Sequence, residues 1–143
     1  MKSKLINALT VSAIAVGTAT MSHAQQAVDI GKREYVISCA VCHGDSGKGD
    51  GPLVGWLKKP AADLTKIQKA NMGVFPFDRV YQVIDGREDV AAHGPRDMPV
   101  WGDHFSYEAG YTMGVIAPTK GVDSFVRGRI IALVGYIYTL QAK

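Results

Sequence analysis

The most constraining feature of the chain is the run Cys39-Ala40-Val41-Cys42-His43, which contains both cysteines among the 143 residues. In an oxidising compartment, an even number of cysteines usually indicates a disulfide. A disulfide between residues three apart would close a very short loop and would stabilise the fold little. The pair therefore predicts a chemical role, and that role constrains how the rest of the chain folds.

The spacing C-x-x-C-H is that of covalent c-type haem attachment. Two thiols on the last turn of a helix can each add to one vinyl group of a haem, and the imidazole of the histidine that follows can bind the haem iron. A zinc site would need a second pair of ligands, and His93 and His104 lack paired spacing. A thioredoxin-like dithiol would begin a βαβ unit, and no such pattern is present. The motif therefore predicts one covalent haem c held by Cys39, Cys42 and His43.

The first 24 residues have the order of a secretory signal peptide. Lys2 and Lys4 precede a mostly apolar stretch over residues 5–19, and Ser22-His23-Ala24 offers a cleavage site between small residues. The alternative is an uncleaved membrane anchor, but a spanning helix needs about 20 apolar residues and this run is shorter. We expect residues 1–24 to be removed and residues 25–143 to form one periplasmic domain without a membrane span.

The charge of the chain excludes one class of partner. The formal net charge is +3, and removing Lys2 and Lys4 with the signal peptide leaves +1. A nucleic-acid-binding protein would need a basic stripe with many phosphate contacts. We therefore expect no nucleic-acid partner.

The remaining pattern predicts an all-α domain of about four short helices and long loops. Asp29 is expected to cap a helix over residues 30–40, after a frayed segment at 25–28. Pro60 is expected to begin a helix over residues 61–70, and Pro76 a helix over residues 77–84 that ends at Asp85-Gly86. Residues 44–51 and 87–122 are expected to be mostly loop. Because long loops leave a poor core, a large apolar cofactor is expected to fill the interior.

The last predicted helix has the clearest pattern, with Asp123 or Ser124 as its cap and an end near Gln141. One apolar face and a second, partly apolar face predict that it packs on two sides. The first face is Val126, Ile130, Leu133, Ile137 and Leu140, and the second is Gly128, Ile131, Gly135 and Tyr138.

These features together resemble the class I, mitochondrial-type, single-haem cytochromes c of bacteria. Gly31, Tyr35 and Cys39 lie four apart, as on the N-terminal helix of that family, and Leu133 and Tyr136 match its C-terminal helix. The segments Cys42-His43-Gly44 to Gly49-Asp50-Gly51-Pro52 and Met98-Pro99 resemble its haem loop and distal segment. The resemblance covers about residues 29–140. It implies a small cytochrome c fold wrapped around one haem. Gly31 is expected to allow close approach of the C-terminal helix, with Tyr35 and Tyr136 packed across that crossing.

The resemblance also implies further site residues. The carbonyl of Pro52 is expected to accept a hydrogen bond from Nδ1 of His43, which would fix the orientation of that ligand. Met98 is favoured as the second iron ligand, since it lies well downstream of His43 and Pro99 stiffens the segment. Met113 is the next choice, and Met98 as a gap-filling core residue is the alternative. Other candidates are Met72, His93 and His104 for the iron, and Trp56, Trp101 and Arg96 for the propionates.

Iron with two protein ligands has no open position for a substrate, so the sequence predicts an electron-transfer protein and not an enzyme. We expect a monomeric, periplasmic one-electron carrier that exchanges electrons with a dehydrogenase, an oxidase or a respiratory complex. The alternative is a dedicated cytochrome subunit of an exported dehydrogenase that oxidises a sulfur compound or an alcohol. A peroxidase or gas sensor would need an open distal site.

Overall fold

The computed structural model describes residues 15–87, 98–115 and 119–142. These ranges contain helices and loops and no strand, which confirms the all-α prediction. No helix in them has the length and apolar character that a bilayer crossing requires. Two 3-10 turns, Val54–Trp56 and Leu64–Lys66, accompany the helices α1 (Ala15–Ser38), α2 (Ala40–His43), α3 (Ile67–Ala70), α4 (Phe77–Asp85), α5 (Trp101–Met113) and α6 (Lys120–Thr139).

The crossing of α1 and α6 organises the fold. Gly31 is buried there, and a Cβ atom on it would lie 2.0 Å from the carbonyl oxygen of Ala132. The rings of Tyr35 and Tyr136 meet beside this contact with centroids 5.2 Å apart, a tilted geometry that aromatic pairs favour. The predicted role of Gly31 as the point of close approach to the C-terminal helix is thus confirmed.

The α6 helix buries the first of its two predicted faces. Val126, Ile130, Leu133 and Ile137 are each at most 3% exposed. The second predicted face was wrong, because Ile131 and Tyr138 are half-exposed while Ala132, Val134 and Tyr136 are buried instead. The side chains of Ala132, Val134 and Tyr136 face the crossing with α1 and the core.

The N-terminal boundary differs from the prediction. Helix α1 covers Ala15–Ser38, so Asp29 lies inside it, where its carboxylate accepts a hydrogen bond from Gln25 at 3.1 Å. Residues 25–28 are helical and not a frayed end. The run Ala24-Gln25-Gln26-Ala27 consists of good helix formers, so nothing in it stops the helix before Asp29.

The middle of the chain is partly as predicted. Residues 44–51 form a loop, and α4 runs from Pro76 as its cap to Gly86 at φ 64°, as predicted. The helix predicted over residues 61–70 was wrong at its start. Asp63 caps the 3-10 turn there by accepting a hydrogen bond from the Thr65 amide at 3.0 Å, and α3 follows. An aspartate cap outweighs Pro60 as a start signal because it satisfies an otherwise free backbone donor.

The largest error of the sequence interpretation is α5, which lies in a region predicted as loop. Phe105 and Ala109, four residues apart, are at most 1% exposed, and Trp101 packs against the same core. Thr119, and not Asp123 or Ser124, caps α6 by accepting a hydrogen bond from the Val122 amide. Glycines at 102 and 110 lower the intrinsic helix propensity of α5, so its stability comes from packing.

Candidate functional site

The C-x-x-C-H motif lies where α1 turns into α2. The Cys39 amide donates to the Tyr35 carbonyl at 2.8 Å and the His43 amide to the Cys39 carbonyl at 2.9 Å, so the helical path is nearly continuous. Cys39, Cys42 and His43 therefore occupy positions i, i+3 and i+4 of one helical face. Cys39 is buried, and Cys42 and His43 are half-buried. The two cysteines are not joined by a disulfide.

A cavity of about 420 Å³ opens beside this face. Cys39 and His43 line one part of it, and Met98, which comes from the segment preceding α5, lines another. The remaining wall is mostly apolar and comes from the 3-10 turn at Leu64–Lys66 and from α3, α4 and α6: Leu64, Ile67, Val80, Val83, Ile84 and Ile137. An apolar cavity that carries a thiol, an imidazole and a thioether has the donor set that a c-type haem requires, so the residues present fit that group.

His43 has a backbone partner that fixes its ring. Its Nδ1 lies 3.0 Å from the carbonyl oxygen of Ala62. Because a carbonyl can only accept, this contact selects the tautomer with the proton on Nδ1 and leaves the Nε2 lone pair free to bind a metal. Such a hydrogen bond fixes the orientation of an imidazole ligand.

The acceptor for His43 is a correction to the prediction of Pro52. The Leu53 amide donates to the Val41 carbonyl at 3.0 Å, and the Gly51 amide to the Cys42 carbonyl at 3.2 Å. These bonds hold the Pro52 turn against the backbone of α2, and the carbonyl in contact with the imidazole is that of Ala62. The Ala62 segment is placed by a bond of 2.7 Å from the Leu64 amide to the Gly47 carbonyl. The loop thus supplies an acceptor from ten residues further along the chain.

Among the described candidates for the second iron ligand, Met98 alone shares the cavity with His43. Met72 is 93% exposed, and Met113 is 46% exposed at the end of α5. His104 lies on α5, where its Nε2 is 3.1 Å from the Glu108 carboxylate. His93 lies outside the described residues.

The two described candidates for propionate partners, Trp56 and Trp101, do not line this cavity. Trp56 is 86% exposed, and Trp101 packs edge-on against His104. Arg96 lies outside the described residues. The structure instead places Asn71 and Arg79 in the cavity lining. Neither residue could be identified from the sequence, since a polar residue on an amphipathic helix or at a helix end does not by itself indicate a ligand-binding role.

Two buried side chains at the motif, those of Tyr35 and Cys39, are held in defined surroundings. The Tyr35 hydroxyl donates to the Gly44 carbonyl at 2.7 Å, and burial raises the pKa of Tyr35 above its ordinary value. Burial, together with the negative charges of Glu34 and Cys42, raises the pKa of the Cys39 thiol to about 12. A thioether carries neither charge nor acidic proton, so the surroundings of Cys39 suit the sulfur of a thioether better than a thiolate.

Comparison with known proteins gives one family match. The family described as cytochrome C oxidase, cbb3-type, subunit III matches residues 26–110, more than half of the chain. The matched range contains Cys39, Cys42, His43 and Met98 and ends inside α5. Searches of curated proteins and of solved structures return no significant match.

Proposed function

The chain belongs to the cytochrome c oxidase, cbb3-type, subunit III family, whose members are c-type cytochrome domains, and we propose that it is a periplasmic one-electron carrier with a single haem. Membership of this family assigns a haem-based electron-transfer role with redox partners. The single observation that carries the finer proposal is the cavity itself, where Cys39, His43 and Met98 meet. Under this proposal the chain is of the class I type.

Each residue of the site has a defined task in this proposal. Cys39 and Cys42 would hold the haem by thioether bonds, and His43 and Met98 would bind its iron. When bound, the haem supplies reversible one-electron exchange between ferric and ferrous iron. The Ala62 carbonyl keeps the proton of His43 on Nδ1, which leaves Nε2 for the iron.

The surroundings of the site favour electron exchange over substrate chemistry. The lining that α4 and α6 contribute is mostly apolar, and a methionine with a histidine raises the reduction potential of a haem iron. If His43 and Met98 both bind the iron, a peroxidase or gas-sensing reaction would have no open position for its substrate. Carbon monoxide added to the reduced native protein is therefore expected not to bind, whereas binding would favour the enzyme or sensor class.

The surface at the cavity mouth supports contact with a redox partner. Residues that neighbour the cavity lining in the chain are apolar and exposed: Met72 is 93%, Val74 65% and Phe77 41% exposed, and Val83 in the lining is 52% exposed. Asn71, Pro76 and Val83 themselves line the cavity. An apolar contact at this surface would bring a redox partner close to the edge of the bound haem. Few charged side chains would have to become ordered for such a contact.

Salt dependence tests this kind of docking. With a charge of +1 after signal removal, we expect electron-transfer rates with the physiological partner to fall only modestly as salt is added. Stopped-flow kinetics across a range of ionic strength provide the measurement. A steep decrease would instead indicate a charged docking patch that includes Lys58 and Lys59.

The alternative is a dedicated cytochrome subunit of a larger enzyme. The family match supports this alternative, because the family is named for a subunit of an oxidase. An exported dehydrogenase that oxidises a sulfur compound or an alcohol is the other such assembly. The mass of the native protein in solution separates the two: a carrier is expected to be a monomer, and a dedicated subunit to copurify with its enzyme.

Export predicts a mature N-terminus at Gln25. The side chains of residues 23–27 are exposed, and the first partly buried one is Val28. Cleavage after Ala24 would therefore shorten α1 to residues 25–38 without removing the Gly31 and Tyr35 contacts with α6. Intact-mass spectrometry of the protein from the periplasmic fraction should give a chain that starts at Gln25. A full-length chain in the membrane fraction would support the anchor.

A further inference from the structure

A charged cluster lies at the C-terminal end of α4, outside the ligands discussed above. Asp85, the last residue of α4, is 9% exposed, and its Oδ1 accepts a hydrogen bond from Nε of Arg87 at 2.8 Å. A terminal nitrogen of Arg87 lies 3.3 Å from Oδ1 of Asp123 on α6. Among the described residues, Glu34 is the other buried charged side chain. A buried carboxylate is costly unless it is paired, so this pairing holds the α4 end in one arrangement.

Gly102, in the first turn of α5, completes the cluster. It is buried, and a Cβ atom on it would lie 2.1 Å from Oδ1 of Asp85 and 2.8 Å from Nε of Arg87. The first turn of α5 therefore rests directly on the ion pair, and no larger residue fits without moving one of them. A carboxylate beside the start of a helix is also favoured by the helix dipole.

The cluster is close to Met98 along the chain and through α4. Gly102 lies four residues after Met98, a separation that extended chain spans in at most about 14 Å. Ile84, the neighbour of Asp85, lines the same cavity as Met98. The contact between Asp85 and Gly102 therefore joins the cavity wall formed by α4 to the segment that carries the Met98 sulfur.

We propose that Asp85, Arg87 and Gly102 form a positioning cluster that holds Met98 against the haem iron. This inference rests on the proposed function, in which Met98 is an iron ligand. A methionine side chain has three rotatable bonds, and its thioether is a neutral ligand, so its sulfur stays on the metal only if its backbone is held. The cluster supplies this restraint without touching the iron.

Imidazole binding to the ferric holoprotein measures how readily Met98 leaves the iron. In Gly102→Ala and Arg87→Gln, we expect imidazole to bind about 10- to 100-fold more tightly than in the native protein, the usual range for a group that orients a metal ligand. Arg87→Lys should restore part of the difference because it keeps the charge beside Asp85. Because two variants are measured, Gly102→Ala and Arg87→Gln, the test still holds if one of them fails to fold.

Matched substitutions elsewhere separate positioning from general destabilisation. Gly31→Ala creates a similar clash, with a Cβ 2.0 Å from the Ala132 carbonyl oxygen, and Arg129→Gln breaks the ion pairs to Glu34 and Glu108. None of these residues lines the Met98 cavity. The inference requires a clear increase in imidazole affinity over both controls, and equal affinity in variants and controls would overturn it.

The same imidazole titration on Met98→Ala separates the assignment of Met98 as an iron ligand from the positioning role of the cluster. If Met98→Ala increases imidazole affinity but the cluster variants match their controls, Met98 is the ligand and the cluster does not position it. If Met98→Ala leaves imidazole affinity unchanged, the ligand assignment itself fails and the positioning role fails with it.

Discussion

Replacing Met98 by leucine should abolish the weak sulfur-to-iron absorption band at the red end of the ferric spectrum and open the reduced protein to carbon monoxide. Leucine keeps the volume of the side chain, and such swaps usually cost less than about 1.5 kcal/mol, so the fold should survive. Met98→Ala should show the same spectral loss and also lower the reduction potential, because the thioether that favours the ferrous state is gone. Absorption spectra, carbon monoxide titration and potentiometry measure the three effects.

The controls for this prediction are the other methionines of the domain. Met72, at 93% exposure, and Met113, at the exposed end of α5, do not line the cavity, so Met72→Leu and Met113→Leu should keep the band. If Met98 only fills a gap in the core, Met98→Leu would leave the band intact. If the band survives in Met98→Ala and disappears in Met113→Ala, the ligand is Met113.

Substituting Gly31 by leucine should destabilise the holoprotein by about 1–3 kcal/mol or more, the usual cost of overpacking. The reason is that the nearest atoms to a Cβ at this position, 2.0 Å and 2.6 Å away, are the carbonyl oxygen and carbon of Ala132. Backbone atoms inside α6 cannot rotate away as a flexible side chain could, so α1 and α6 must separate. Denaturant unfolding followed by circular dichroism measures the change.

A matched glycine on the partner helix provides the control. Gly128 lies within α6, and a Cβ on it would meet nothing within 4 Å. Gly128→Ala should therefore stabilise the protein by about 0.5–1 kcal/mol through the usual preference of helices for alanine. An unchanged unfolding midpoint in Gly31→Leu would rule out the crossing as the reason for this glycine.

The sequence was most informative where a pattern is local. The spacing of Val126, Ile130 and Leu133 identified the buried face of α6, and Gly31 identified its crossing with α1. The C-x-x-C-H run and its helical setting could be predicted because its two thiols and its imidazole lie within five residues. Pro76 and Gly86 set the ends of α4 by their own backbone preferences.

The sequence was least informative where long-range packing or a backbone group decides. Helix α5 contains Gly102 and Gly110, so local propensity disfavours it, and packing of Phe105 against the core stabilises it. The partner of His43 is the carbonyl of Ala62, and a backbone carbonyl leaves no mark in the sequence. The resemblance favoured the carbonyl of Pro52, whereas the structure places that of Ala62 next to the ring. The amides on either side of Pro52, those of Gly51 and Leu53, donate to carbonyls of α2.

The central claim is that Cys39 and Cys42 attach a single haem covalently, and the mass of the mature holoprotein tests it most directly. After acid–acetone treatment, the colour should stay with the polypeptide, and the intact mass should exceed that of the chain from Gln25 by one haem. The double variant Cys39→Ala, Cys42→Ala should lose this added mass. Haem that extracts from the native protein, or that stays covalently attached in the double variant, would contradict the account.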